Sequence, residues 1–436
     1  MGKSQELYIQ AKKIIPGGTQ LLSKRPEQFL PDYWPAYYQK AKGCKVWDLD
    51  GREYVDASYM GIGANIIGYA DDDIDNAVKK VIDAANMTTL NPPEEVDLAK
   101  LLINLHPWAE MVRFTRSGGE AMMVAIRIAR AATGKDIVLF CGYHGWHDWY
   151  IAANLSNDSA LDGQLLPGLK PAGVPRHLAD TSFPFGFNDK KQFQQLTTKY
   201  KNQIAAVVME PIRNIDPEEG FWECIQSETA KHGIALIIDE ITAGWRLNLG
   251  GAHLVYGIKP DIAVFAKGMS NGYPMAAVIG KKNFMDAAQD SFISSTYWTE
   301  RIGPTAALST VQKMKLLNVQ DHLIKMGKLI QDGWNESAKK TGLSIRIGSI
   351  YPLSHFEFLH EQPLALKTLF TQEMLDRGFL ATTSFYCSYA HTEEVIKQYL
   401  NAVEETFLIL KQSIDQGNTS HLLRGAVCQS GFKRLN

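Results

Sequence analysis

The chain has 436 residues, 45 of them basic and 47 acidic, for a net charge of −2. That length can bury a large core across two or more domains. The near-neutral balance excludes the electrostatic footprint of a protein that binds nucleic acid or an anionic membrane surface. No apolar stretch reaches the ~18 residues of a transmembrane helix. The polar N-terminus, Met1 to Leu7, lacks the apolar core of a secretory signal. Cys44, Cys141, Cys224, Cys387 and Cys428 are scattered, odd in number and never spaced as CxxC, which fits reduced thiols in a cytoplasmic protein.

In chain order, residues 4–15 read as a short helix stopped by Pro16-Gly17-Gly18. Val46 to Asp56 reads as two strands around the Asp50-Gly51 turn. Helical spacing covers 72–86 and 94–105, with Asn91-Pro92-Pro93 between. Then come short apolar runs, Ile137–Phe140, Ile204–Met209, Ile234–Ile238 and Ile262–Phe265, alternating with helical stretches. Unbroken apolar runs suit strands buried on both faces of a mostly parallel sheet flanked by helices. A helix-rich region from Pro304 to about 340, strand-like pieces at 343–350 and 353–359, and a helix over 393–413 suggest a smaller C-terminal domain. The expected divisions are 1–55, packing with that small domain; 56–310, the large domain; 311–415, the small domain; and 416–436, a loosely held polar tail.

In such sheets ligands bind beyond the carboxyl ends of the strands, and Glu210, Asp239 and Lys267 each follow a strand. Lys267 lies in a glycine-containing loop, Lys267-Gly268-Met269-Ser270-Asn271-Gly272, 28 residues after Asp239. A lysine amine that can form a Schiff base, and a carboxylate that can pair with a pyridine nitrogen, suit pyridoxal phosphate. Arg116-Ser117-Gly118-Gly119-Glu120-Ala121 opens a helical run over 122–132, where free amides and the helix dipole favour a phosphate. The same residues also read as an ordinary cap, with Ser117 at the N-cap and Glu120 completing a capping box. In Gly142-Tyr143-His144-Gly145-Trp146-His147-Asp148 an aromatic beside a glycine turn can stack on a flat ring. His144 and His147 have no accompanying carboxylate or cysteine spacing that would make a metal site, and none is expected. Gly61-Ile62-Gly63 lacks the third glycine of a dinucleotide fingerprint.

Taken together, these segments resemble the class III aminotransferases of the fold-type I pyridoxal phosphate enzymes, and most of all their glutamate-1-semialdehyde 2,1-aminomutase branch. The shared landmarks run nearly end to end: Pro16-Gly17-Gly18, Trp47 to Gly51, Ser117 to Ala121, Tyr143-His144-Gly145, Glu210-Pro211, Asp239 to Arg246, the Lys267 loop and Ala390-His391-Thr392-Glu393-Glu394. The resemblance implies an α/β fold-type I enzyme with a small α+β domain built from the C-terminal part and the N-terminal segment. It implies pyridoxal 5′-phosphate held by a Schiff base to Lys267, with Asp239 at the pyridine nitrogen. Tyr143 and Ile241 would lie on the two ring faces. Ser117, Gly118 and Gly119 would meet the phosphate, and His144 and Glu210 would support the site. Thr299, aligned through Pro304, would bind the phosphate of a neighbouring subunit, which implies a homodimer with shared active sites.

Three segments depart from that branch. Thr383 stands where the aminomutases usually carry a substrate-site glutamate. The segment Ile212 to Pro217 is short after Glu210-Pro211, and Gly17 to Pro26 replaces a short Gly-Gly-Val-Asn-Ser loop. All three fall on substrate-side elements, so the expectation is the same cofactor chemistry on a different substrate. The favoured activity is amino transfer from an amino-acid donor to an aldehyde or keto acceptor by a ping-pong mechanism. Intramolecular transfer by an aminomutase is the alternative, with decarboxylation or another reaction of the fold behind it. Ser23, Lys24, Arg25, Trp34 and Arg246 are candidates for the substrate mouth, with packing and surface roles open for each.

Overall fold

The computed structural model describes residues 2–164, 166–212 and 214–435; Arg213, within the short segment after Glu210-Pro211, lies outside the described residues. The chain divides into two units, one of residues 72–320 and the other of residues 1–71 with 321–436.

The unit 72–320 is built on a seven-stranded sheet. Its order is Met111–Thr115, Ala276–Gly280, Ile262–Phe265, Ala235–Asp239, Ile204–Met209, Ile137–Cys141 and Ser182–Pro184. Ala276–Gly280 pairs antiparallel with both neighbours, while the pairs from Ile262–Phe265 outward to Ser182–Pro184 are parallel. The apolar runs are continuous because both faces of the sheet are covered. Val138, Phe140, Val208, Ile237, Val264 and Val278 point to one face, against Ala121, Met122, Ala125 and Ile128 of the helix Gly118–Thr133. Leu139, Val207, Met209, Leu236 and Ile238 point to the other, against Phe221, Trp222 and Ile225 of the helix Phe221–His232. This double cover aligns the carboxyl ends of five neighbouring parallel strands, and Asp239 sits on one of them.

In the other unit, Tyr38–Lys42, Lys45–Asp48 and Glu53–Ala57 form an antiparallel meander. Its turn is fixed by Asp48, whose Oδ1 accepts from the amides of Asp50 and Arg52, both at 2.9 Å. Phe379–Ala381 adds to Glu53–Ala57 in parallel, so the N-terminal segment and the C-terminal region share one sheet. A three-stranded sheet, Ile345–Ile347, Leu353–Phe358 and Ser384–Tyr386, and the helices Pro363–Asp376 and Glu393–Asp415 complete the unit. The region from 304 to 340 is two helices, Ile302–Leu317 and Val319–Thr341, parted at Asn318, which takes a left-handed φ of 48°.

The segment after residue 415 differs from its expectation as a loose tail. Cys428 is buried and its amide donates to Thr368 Oγ1 at 2.9 Å. The Gln429 amide donates to the Glu27 carbonyl at 2.7 Å, and Arg424 donates to Asp376 at 2.9 Å. Polar composition concealed this because the anchors are backbone amides and a charged side chain rather than a run of apolar side chains. Deleting residues 424–436 should therefore lower the stability of the unit that carries them by about 1–3 kcal/mol, read as an earlier transition in urea. An unchanged midpoint would show that the segment contributes nothing.

Candidate active site

Asp239 ends the strand Ala235–Asp239 and is 3% exposed. Its Oδ2 accepts from His144 Nδ1 at 2.7 Å and its Oδ1 from the Ile241 amide at 2.9 Å. His144 is itself buried, with Nε2 3.2 Å from the Cys141 carbonyl oxygen. A buried carboxylate with donors on both oxygens is held in one orientation. The sequence placed His144 near the cofactor without giving it a partner; its partner is Asp239.

Lys267 opens a tight turn, Lys267–Ser270, just past the strand Ile262–Phe265. Its φ is +44°, a left-handed conformation that costs a non-glycine residue about 1 kcal/mol. Nζ donates to Thr242 Oγ1 at 2.8 Å. Burial, reinforced by the charge of Arg246 and opposed by Asp239 and Glu210, lowers the amine from 10.5 to about 8. Roughly a tenth of it is then neutral at pH 7, several hundredfold more than for a free lysine. Arg246 is buried and its Nε donates to the Thr242 carbonyl at 2.8 Å.

The helix Gly118–Thr133 starts with a full capping box. Ser117 Oγ accepts from the Glu120 amide at 3.5 Å, and the Glu120 carboxylate accepts from the amides of Ser117 at 2.9 Å and Arg116 at 3.0 Å. The cap reading is thus borne out, and the box leaves the amides of Gly118 and Gly119 without an acceptor among the described residues. A Cβ on Gly118 would lie 2.9 Å from Ile241 Cδ1, so only glycine lets this helix end come up to Ile241.

The Tyr143 segment is pinned from three sides. Its amide donates to Glu210 Oε2 at 3.3 Å, the Gly142 amide donates to Gln164 Oε1 at 2.8 Å, and Tyr150 Oη donates to the Gly142 carbonyl at 3.0 Å. Gly142 is obligatory here: φ is +123° and a Cβ would meet Glu210 Oε2 at 2.5 Å. Burial raises the Tyr143 phenol above its ordinary value, with the Asp239 charge adding to it. The ring packs edge-on to Tyr150 at 5.9 Å.

Thr299 stands apart from this cluster. It is exposed and its hydroxyl donates to the Thr296 carbonyl at 3.0 Å. Arg116 fixes that segment through a 2.6 Å ion pair with Glu300 and a 2.9 Å bond to the Trp298 carbonyl. Thr383, Arg25 and Trp34 belong to the other unit. Thr383 is buried, Trp34 stacks on Phe29 at 4.5 Å, and Arg25 donates to the Lys433 carbonyl at 3.1 Å.

Three polar residues escaped the sequence reading: Thr242, Gln164 and His253. His253 Nδ1 donates to the buried Glu240 at 2.7 Å, and its Nε2 accepts from Trp108 Nε1 at 3.2 Å. Glu240 also accepts from the amides of Ala252 and His253 at 3.1 and 2.7 Å. Only the acid after Asp239 hinted at this second buried network.

The donor set fits pyridoxal phosphate. It combines an amine lowered towards neutrality, a buried carboxylate for a ring nitrogen, two unpaired amides at a helix start for a phosphate, and an aromatic and an isoleucine to flank a ring. Among the described residues no group of three His, Cys, Asp or Glu is placed to hold a metal ion, and no helix is long and apolar enough to cross a membrane.

The sequence model of the class-III aminotransferases matches residues 31–405. The chain is 28% identical to a 3-aminobutyryl-CoA aminotransferase of Cloacimonas acidaminovorans, over 95% of this chain and 99% of the relative. It is 30% identical to a glutamate-1-semialdehyde 2,1-aminomutase of Methanococcus maripaludis, over 93% of this chain and 97% of the relative. Among solved structures, an omega-transaminase from Sphaerobacter thermophilus superposes with a TM-score of 0.83 at 26% identity, covering 94% of this chain and 98% of its own. The FumI protein of Sphingopyxis sp. MTA144, in its PLP internal aldimine form, gives 0.86 at 23% identity, covering 95% and 98%.

The lowered Lys267 amine fixes a pH dependence. Between about 8 and 10.5 the unfolded chain holds the lysine proton and the folded chain does not, so this residue's contribution to stability rises with pH across that window. Cofactor-free Lys267→Met should thus be more stable than the parent at pH 7, by an amount that shrinks as pH approaches 10. A gap that stays constant with pH would overturn the assignment of a lowered amine.

Proposed function

The chain belongs to the class-III aminotransferases, pyridoxal-phosphate-dependent enzymes of fold type I, and on that premise we propose that it carries an amino group from an amino-acid donor to a separate aldehyde or keto acceptor in two half-reactions. Pyridoxal phosphate, when bound, supplies a carbonyl that takes up amino groups and a ring that draws electrons from the neighbouring carbon. Lys267 Nζ is the attachment point and, once displaced, the base that removes the donor's α-proton and returns it on the cofactor side. The amine lowered to about 8 supports this, because only its neutral form has a lone pair to use. Asp239, held by His144 and the Ile241 amide, presents a fixed acceptor for a protonated ring nitrogen. The Gly118 and Gly119 amides would bind the phosphate, with Ser117 shaping the turn that exposes them. Tyr143 and Ile241 would bracket the ring, and Glu210 would hold the Tyr143 backbone in place.

Thr383 carries the choice of intermolecular over intramolecular transfer. A true aminomutase of the resembled branch has a carboxylate at this position, whereas here it is a buried threonine. A hydroxyl cannot supply the same charge to a substrate amine, so retention of a diamino intermediate loses its support. The likeness to a 3-aminobutyryl-CoA aminotransferase supports the same division, since that relative is an aminotransferase.

Purified protein loaded with pyridoxal phosphate should convert stoichiometrically to the pyridoxamine form with an amino donor such as L-glutamate or L-alanine, releasing the keto acid. A keto or aldehyde acceptor should then regenerate it. Isomerisation of glutamate 1-semialdehyde without release of a keto acid would overturn this in favour of the aminomutase. Carbon dioxide release would move it to a decarboxylase. Thr299 completes the reading: in a homodimer its hydroxyl would reach the phosphate of the neighbouring copy. Thr299→Ala should then weaken cofactor affinity about 10- to 150-fold, the worth of one hydrogen bond to a charged group, as measured by fluorescence titration. Unchanged affinity would remove Thr299 from the site.

A further inference from the structure

Nζ of Lys267 makes a single hydrogen bond among the described residues, the one to Thr242 Oγ1. The nearby carboxylates are otherwise engaged: Asp239 takes its donors from His144 and Ile241, and Glu210 Oε2 takes the Tyr143 amide. Thr242 is not free to drift towards or away from the amine. Its carbonyl accepts from the buried Arg246, and the preceding residue is tied to Asp239 through its amide. The lysine is fixed at its other end by a left-handed backbone at the mouth of a strand. A flexible side chain clamped at its root and met at its tip by one fixed hydroxyl has few orientations left.

We propose that Thr242 is the positioning residue for Lys267, its hydroxyl holding one N–H of the amine so that the lone pair faces the reacting carbon. The proposal rests on the assignment of Lys267 as the cofactor lysine. A neutral amine carries two N–H groups and one lone pair; when the hydroxyl takes one N–H, rotation about Cε–Nζ is restricted and the lone pair is aimed. The amine takes one proton from the donor's α-carbon, becomes ammonium, and gives that same proton up on the cofactor side. Lys267 therefore ends the proton transfer as it began it, a neutral amine. Throughout, Thr242 Oγ1 remains an acceptor and neither gains nor loses a proton. The hydroxyl also serves the ammonium form, which needs acceptors more than the neutral amine does.

The test compares Thr242→Val, which keeps the shape and removes the oxygen, with Thr242→Ser, which keeps the oxygen. The first readout is independent of turnover: full-length cofactor-free protein is competitively labelled with acetic anhydride across pH 6–10, and the peptide containing Lys267 is quantified. Loss of the acceptor should shift the Lys267 titration downward by about half to one pH unit in Thr242→Val, and Thr242→Ser should restore it. In the loaded enzyme, Thr242→Val should lose about 10- to 100-fold in kcat with KM for the amino donor nearly unchanged. It should also show a larger isotope effect with α-deuterated donor, and Thr242→Ser should recover most of the rate. A Thr242→Val protein that titrates and turns over like the parent overturns the proposal. A reduced cofactor adduct found on a lysine other than Lys267 overturns the underlying assignment instead, and borohydride trapping followed by peptide mapping separates the two failures.

Discussion

Removing a carboxylate from water costs several kcal/mol unless hydrogen-bond donors replace the water it loses. Asp239 meets that condition with His144 on one oxygen and the Ile241 amide on the other, and much of the surrounding structure follows from supplying those two donors. His144 must be brought back under the strand ends, which requires the abrupt turn at Gly142, where no side chain can be accommodated beside Glu210. Ile241 must turn sharply after the strand, which sends the next residues, Thr242 to Arg246, across the tip of Lys267. Tyr143 is carried into position by the same turn that delivers His144. One carboxylate at the end of one central strand thus organises the aromatic, the isoleucine and the lysine partner at once.

The amine is tuned by the same enclosure. Desolvation is the leading cause of its lowering, and the positive charge of Arg246 pushes in the same direction. Asp239 and Glu210 pull against both, so the amine settles near neutrality rather than at either extreme. An exposed lysine would be protonated and inert as a base; one buried without carboxylates nearby would be too weak a base to keep a proton it had gained. The pairing of Arg246 with Asp239 and Glu210 around one lysine is a compromise between those limits.

How much of this could be read from the chain depended on whether the information was local. Ile137–Cys141, Ile204–Met209, Ala235–Asp239 and Ile262–Phe265 were legible because burial on both faces leaves an unbroken apolar run. The helix Pro363–Asp376 was not, because Ala365, Leu366, Thr368 to Gln372 and Met374 are all buried and leave no one-sided stripe to detect. Met111–Thr115 and Ala276–Gly280 were not read as strands, and their antiparallel pairing identifies them. At the site, Lys267, Asp239 and the glycine-opened helix were visible as residue types in a characteristic order. The partnership of His144 with Asp239 spans 95 positions, and that of Gln164 with Gly142 depends on how a loop folds back. Thr242 lay in plain view beside Ile241, but a threonine in a turn carries no chemical signal until the lysine is seen to reach it. Polar partnerships set by tertiary closure are what a sequence pattern hides.

The distribution of change along the chain completes the functional argument. Asp239, His144, Tyr143, Glu210, Gly118, Gly119, Thr242 and Lys267 all lie within residues 72–320, and the hydrogen bonds described for Asp239, His144, Tyr143 and Lys267 come from that same unit. Two of the three segments that depart from the aminomutase branch, residues 17–26 and Thr383, lie in the other unit, where Arg25 and Trp34 are held by their own neighbours. The acid, the amine and the glycine-opened helix end thus take the hydrogen bonds described for them from residues of one unit.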